Sequence, residues 1–159
     1  MDDHDWEPVA SIGHHGLRLG LARDGRWVVG GTGGAPLPLE DALMSMLPVL
    51  EQSYREINRV TTEHPDAQIS PAWELVLRFA LEGTSDYWAE LALGWLEEGH
   101  PAHGLLDVLD QLSRQTRRAQ RTRHRARRVW KEASRGLHEA AGIDKERGVS
   151  AMTETASQG

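Results

Sequence analysis

Basic residues recur along the last third of this chain at the spacing of a helix. On a helical wheel, Arg114, Arg117, Arg118, Arg121, Arg125, Arg128, Lys131 and Arg135 fall on one arc, and only Arg123 and Arg127 stray from it. The opposite arc carries a seam spaced alternately four and three: Leu105, Leu109, Leu112, Thr116, Ala119, Arg123, Ala126, Trp130, Ala133 and Leu137. A cationic ridge on an amphipathic helix has two binding chemistries. It selects an acidic protein surface by charge complementarity, or it displaces counterions from phosphates. In the first case Leu112, Ala119, Ala126 and Trp130 form the contact seam. The two alanines admit a second helix closely, and tryptophan is enriched among interface anchors. The plainer alternative is a solvated face paired with acids elsewhere in the fold. A membrane-surface helix is disfavoured, because the middle of the apolar arc has too few large residues.

Other constellations carry less. The histidines His14 and His15 are adjacent and in a strand would point to opposite faces. His100 and His103 are three apart and share a helix face, but no His-Glu-x-x-His pattern accompanies them, so no metal is expected. An enzyme reading gains only if folding brings His100, His103 and a carboxylate into one concave pocket. Gly30 to Gly34 follows a strand and precedes a helix as phosphate loops do, but it lacks the GK[ST] and GxGxxG patterns. Glu40 and Asp41 behind it would repel a phosphate. No Gly-x-Ser-x-Gly is present. With no cysteine, thiol nucleophiles, disulfides and zinc-thiolate sites are excluded. Glu74, Glu82, Asp86 and Glu90 sit where helical polar arcs face solvent. No cofactor is expected.

The net charge of −6 over 159 residues hides two opposite halves. Residues 1–110 hold 19 acids and 6 basic side chains, a net of −13; residues 111–159 hold 5 acids and 12 basic side chains, a net of +7. Residues 114–135 alone carry ten basic residues and one acid, Glu132. Such asymmetry marks either an interaction element or two halves that attract each other. The 16 arginines against two lysines fit a GC-rich, bacterial type of coding sequence, so the choice of Arg over Lys is weak evidence for phosphate recognition. No apolar run approaches the roughly 20 residues of a membrane span. The opening Met-Asp-Asp-His-Asp lacks the basic and apolar regions of a signal peptide, so a cytoplasmic protein is expected.

The elements that must position these residues follow from periodicity. Residues 1–8 read as a flexible acidic N-terminus and 9–140 as one domain. Within 9–30, Leu17, Leu19 and Leu21 alternate with polar or small residues, Asp24-Gly25 favours a tight turn, and Trp27-Val28-Val29 returns as a second strand, with Val9 to Ile12 as a third. Helices are expected over 37–62, kinked or broken near Pro48, over 71–82 from a Ser70-Pro71 start, and over 85–98. The pair 71–98 resembles a helix-turn-helix in spacing only. Its second helix carries Asp86, Glu90, Glu97 and Glu98 and no Lys or Arg, the wrong sign for a DNA groove. A long basic helix is expected over 102–140, with an aperiodic, disordered tail over 141–159.

The sequence therefore points to an α+β chain, predominantly helical. A short N-terminal antiparallel hairpin or three-stranded sheet packs on a bundle of about four helices. The expected function is a non-catalytic interaction module, self-associating or docking an acidic partner through the basic helix. The alternative is a nucleic-acid-binding regulator that places the arginines of 114–135 on phosphates.

Overall fold

The computed structural model describes the backbone of residues 5–31 and 33–156, and the side-chain surroundings of these residues as far as 140. The fold is α+β and predominantly helical. Four strands, β1 (Trp6–Ile12), β2 (Leu17–Ala22), β3 (Trp27–Gly30) and β4 (Leu37–Pro38), form an antiparallel meander in the order β1-β2-β3-β4. The strand period places Leu19 and Leu21 in the core beside Ile12, Trp27 and Val29. β1 starts earlier than its apolar residues suggest: Trp6 pairs with Ala22 and Pro8 with Gly20, so part of the expected flexible N-terminus is strand. Pro8 has no N–H to give, and it is tolerated on this edge strand beside a bulge between Pro8 and Ala10. The hairpin after β2 is looser than an Asp-Gly two-residue turn. Only Gly25 takes a positive φ, 88°, and Asp24 instead accepts the Arg26 N–H at 3.1 Å and its Nε at 2.7 Å.

The outer face of the sheet explains two glycines. Trp6 lies across Gly20 and Gly30, and a Cβ at either position would run into its ring. An aromatic ring covering strand glycines restores packing that those residues cannot supply themselves.

Six α-helices follow among the described residues: α1 (Leu43–Met46), α2 (Tyr54–Thr62), α3 (Trp73–Glu82), α4 (Asp86–Glu97), α5 (Leu106–Arg114) and α6 (Gln120–Ala156). The helix expected over 37–62 is broken more thoroughly than a kink. Leu37 and Pro38 pair with β3, a 3-10 turn at Leu47–Glu51 accommodates Pro48, and Gln52 is extended at ψ 158° before α2 begins. Ser85 caps α4, its hydroxyl accepting the Trp88 N–H at 3.4 Å. Ser70 does not cap α3, which starts later, at Trp73, without a side-chain cap.

The long helix expected over 102–140 is two helices. A 3-10 turn at His103–Leu105 leads into α5, and Gln115 leaves helical geometry at ψ 103°. α6 then packs along α5 and reaches back to the turn that precedes it, so the two run antiparallel. The residues 141–159 expected as an aperiodic tail have side chains outside the described set; the backbone of α6 is helical to Ala156. The core is one cluster, to which α4 contributes Ala89, Ala92, Leu93, Trp95 and Leu96, all buried. Trp27 and Trp95 lock the loops around it through their indole N–H groups, which donate to Ile69 O at 2.7 Å and Gln52 O at 3.0 Å.

Gly20→Val forces Trp6 and the Glu7 carbonyl aside. The expected loss is about 1–3 kcal/mol, read as a lower urea midpoint with an unchanged slope.

Candidate functional site

The basic ridge divides into two faces with different work. Its inner part is consumed by α4. Asp86 accepts from Arg118 Nη1 at 3.1 Å and from the Ala119 N–H at 3.3 Å, placing a carboxylate at the start of α6. Glu90 faces Arg121 Nε at 3.4 Å and the Thr122 hydroxyl at 3.4 Å, and Glu97 accepts Arg125 Nη2 at 2.6 Å and Nε at 3.0 Å. Each step along α4 meets a later step along α6, so the two helices run parallel, joined by a ladder of opposite charges. The acids that rule out a DNA-reading α4 are the ones that dock the arginines. The Arg118 side chain is only 7% exposed, so its pairing with Asp86 matters most.

The expected contact seam is likewise internal. Leu112 and Ala126 are buried in the core of this chain, and Trp130 is half-buried against it. They are therefore not a free face for a partner. Ala119 is exposed, at the break between α5 and α6. Arg114 is exposed and pairs within its own helix, with Asp110 at 3.1 Å. Arg123, one of the two strays, is half-buried with its Nε unpartnered.

What remains outside is a narrower feature than the full ridge. The exposed arc of α6 presents His124, Arg128, Lys131, Arg135 and His138, led by Arg121, which is exposed although paired with Glu90, with spacings of three and four throughout. Arg127, the other stray, is exposed on the same side. The stripe spans about 25 Å at 1.5 Å per residue. Among the described residues, no ion pair involves Arg117, Arg127, Arg128, Lys131 or Arg135. From Arg135 to Ala140 every residue is exposed, so α6 leaves the body of the protein there. Like charges three and four apart weaken a helix by a few tenths of a kcal/mol per pair, and a polyanion laid along them removes that cost.

Two further groupings bring together residues from separate elements. Glu7, His64 and Asp66 bring three donor atoms within 4.8 Å of one another. The Asp66 N–H donates to His64 Nδ1 at 3.3 Å, which leaves the ring proton on Nε2, facing Glu7 at 3.5 Å. That tautomer makes a histidine–carboxylate pair, and a cation would have to displace the proton to bind. Separately, His100, His103 and Glu74 do line one cleft, the condition set for chemistry at this histidine pair. They are not among the groups whose donor atoms converge to metal-ligand separation. Burial holds the His100 ring below the ordinary histidine value of 6.5, against the opposing pull of its hydrogen bond to Pro101 and the charge of Glu74.

Asp86→Ala strands Arg118 and the start of α6, with an expected loss of about 1–3 kcal/mol after allowing for the partial exposure of Asp86. Arg114→Ala should cost under about 0.5 kcal/mol; urea denaturation of both variants checks the contrast. The depressed His100 sets a second expectation. The unfolded chain takes up a proton near 6.5 and the folded one only below that, so stability is full above this value and declines as pH falls beneath it. Melting temperatures between about pH 7 and pH 5 should fall, and His100→Asn should flatten that decline. Comparison with family models, curated proteins and solved structures finds no match to this chain.

Proposed function

We propose that this protein is a non-catalytic binding module that lays the outer face of α6 along the phosphate backbone of a nucleic acid. The observation that carries this reading is the regular exposed stripe from Arg121 to His138, at about 5 Å of helix rise per side chain. Phosphate recognition needs spaced cations and little else. The stripe itself holds no large apolar or aromatic residue of the kind that anchors a protein interface. The acidic remainder of the chain repels a polyanion and so restricts contact to this one face.

A second reading, docking of another protein or of a second copy, is favoured by one observation. Leu137, on the face of α6 opposite the stripe, is a large apolar side chain left 45% exposed.

Fluorescence anisotropy with a labelled 20-nucleotide DNA or RNA separates the two. Four phosphate contacts predict roughly a hundredfold weaker binding between 50 and 200 mM salt. Arg128→Ala and Lys131→Ala should each weaken binding uniformly across sequences and reduce the salt slope by about one. Absence of binding at low salt, together with a salt-resistant dimer by light scattering, would replace this reading with the second.

A further inference from the structure

A cleft of about 660 Å³ opens between α2, the first turn of α3 and the His100–His103 segment, away from the α6 stripe. Its distinctive walls are Tyr54, Asn58, Trp73, Glu74, His100 and His103. The aromatic groups are held rigidly. Tyr54 meets His100 edge-on at 5.3 Å and 71°, and both Tyr54 and Trp73 pack on Trp95 with centroids 5.3 Å apart.

Donors line the cleft too, the Asn58 amide, the Ser70 hydroxyl and the buried, unpartnered Trp73 Nε1–H, but the one side chain there with a full charge is an acceptor, Glu74. Pro101 O lies 2.8 Å from His100 Nδ1, and a carbonyl only accepts, so that nitrogen carries the ring proton. In the neutral ring that burial favours, Nε2 is left with a free lone pair. Burial also raises Tyr54 above its usual value of 10.0, which keeps the phenol uncharged. Glu74 supplies a carboxylate in the first turn of α3. Its side chain lies over Gly104, where any Cβ would collide with it, so that glycine makes room for the acid. No Lys or Arg lines the cleft. One carboxylate, one imidazole lone pair and several ring faces, with no fixed cation to compensate them, form the complement of an organic cation.

We propose that this cleft binds a small organic cation, an ammonium or guanidinium group seated against the joined aromatic wall of Tyr54 and His100 and paired with the Glu74 carboxylate. The site is separate from α6, so its fate and that of the nucleic-acid reading are decided independently. Neither Glu74 nor Tyr54 touches the α4–α6 ladder, and Glu74 is exposed, so its substitution tests the site rather than the fold.

The test is titration of the full chain with agmatine and with benzylamine, following tryptophan fluorescence and the amide resonances of Trp73 and Gly104. Benzoate serves as the anionic control. Saturable shifts confined to the cleft are expected at millimolar or lower concentration, with Glu74→Gln weakening binding about tenfold, or 1.4 kcal/mol. Tyr54→Phe keeps a ring face and should bind nearly as wild type, whereas Tyr54→Leu should not. The peptide Ala-Arg-Ala distinguishes the source of the cation. Weaker binding than agmatine points to a free metabolite, and tighter binding to a side chain of a partner. No saturation by either amine at about 20 mM, equal binding of benzoate, or an unchanged affinity in Glu74→Gln would overturn the proposal.

Discussion

The C-terminal half of this protein depends on an ionic ladder between two parallel helices. Asp86, Glu90 and Glu97 stand along α4, and Arg118, Arg121 and Arg125 meet them in order along α6. Arg118 is the member that cannot be left unpaired, because its charge is almost wholly removed from water. The Asp86 carboxylate does two jobs there, since it also accepts the Ala119 N–H where α6 begins. That double contact accounts for the break between α5 and α6. A straight helix through Gln115 would carry the arginines past α4. The turn at 115–118 returns the chain so that α6 lies against α5 and α4 together.

The opposite side of α4 is equally committed. Ala89 and Ala92 are fully buried and small, which lets neighbouring elements approach, and Trp95 meets Trp73 edge-on and Tyr54 at a tilt beneath the cleft that also holds Glu74 and His100. One helix thus supports two surfaces of opposite character. On one side a cationic stripe continues along α6 beyond Val129, the last fully buried residue among those described. On the other an aromatic cleft that holds the Glu74 carboxylate sits in the acidic part of the chain.

Much of the architecture was legible from local pattern. Alternation in Leu17–Leu21 and the turn at Asp24-Gly25 mark the hairpin, and the stripes through Trp73–Leu81 and Trp88–Leu96 mark α3 and α4. Errors arose where local pattern and tertiary demand diverge. Ser70-Pro71 looks like a helix start, but Pro71 is buried and α3 begins two residues on. Residues 102–140 contain no proline, so nothing in propensity signals the break at Gln115. The ridge was visible as a pattern, while its division into a docked and a solvent-facing part was not. The clue was present in the acids of α4, whose charge is opposite and whose spacing is also helical.

Amino-acid order alone determined which residues have a periodic apolar face, where the charges concentrate, and which chemistries the absence of cysteine removes. These depend on neighbours within a few positions, and local sterics and the hydrophobic effect act at that range. Only the tertiary structure decided which arginines spend their charge inside the fold, that Leu112 and Ala126 are core rather than interface, and that Tyr54, Glu74 and His100 share a cleft. Those outcomes hang on contacts between residues some 20 to 50 positions apart. At such separations, solvent exclusion and close packing select the partner among many equally charged or equally apolar candidates.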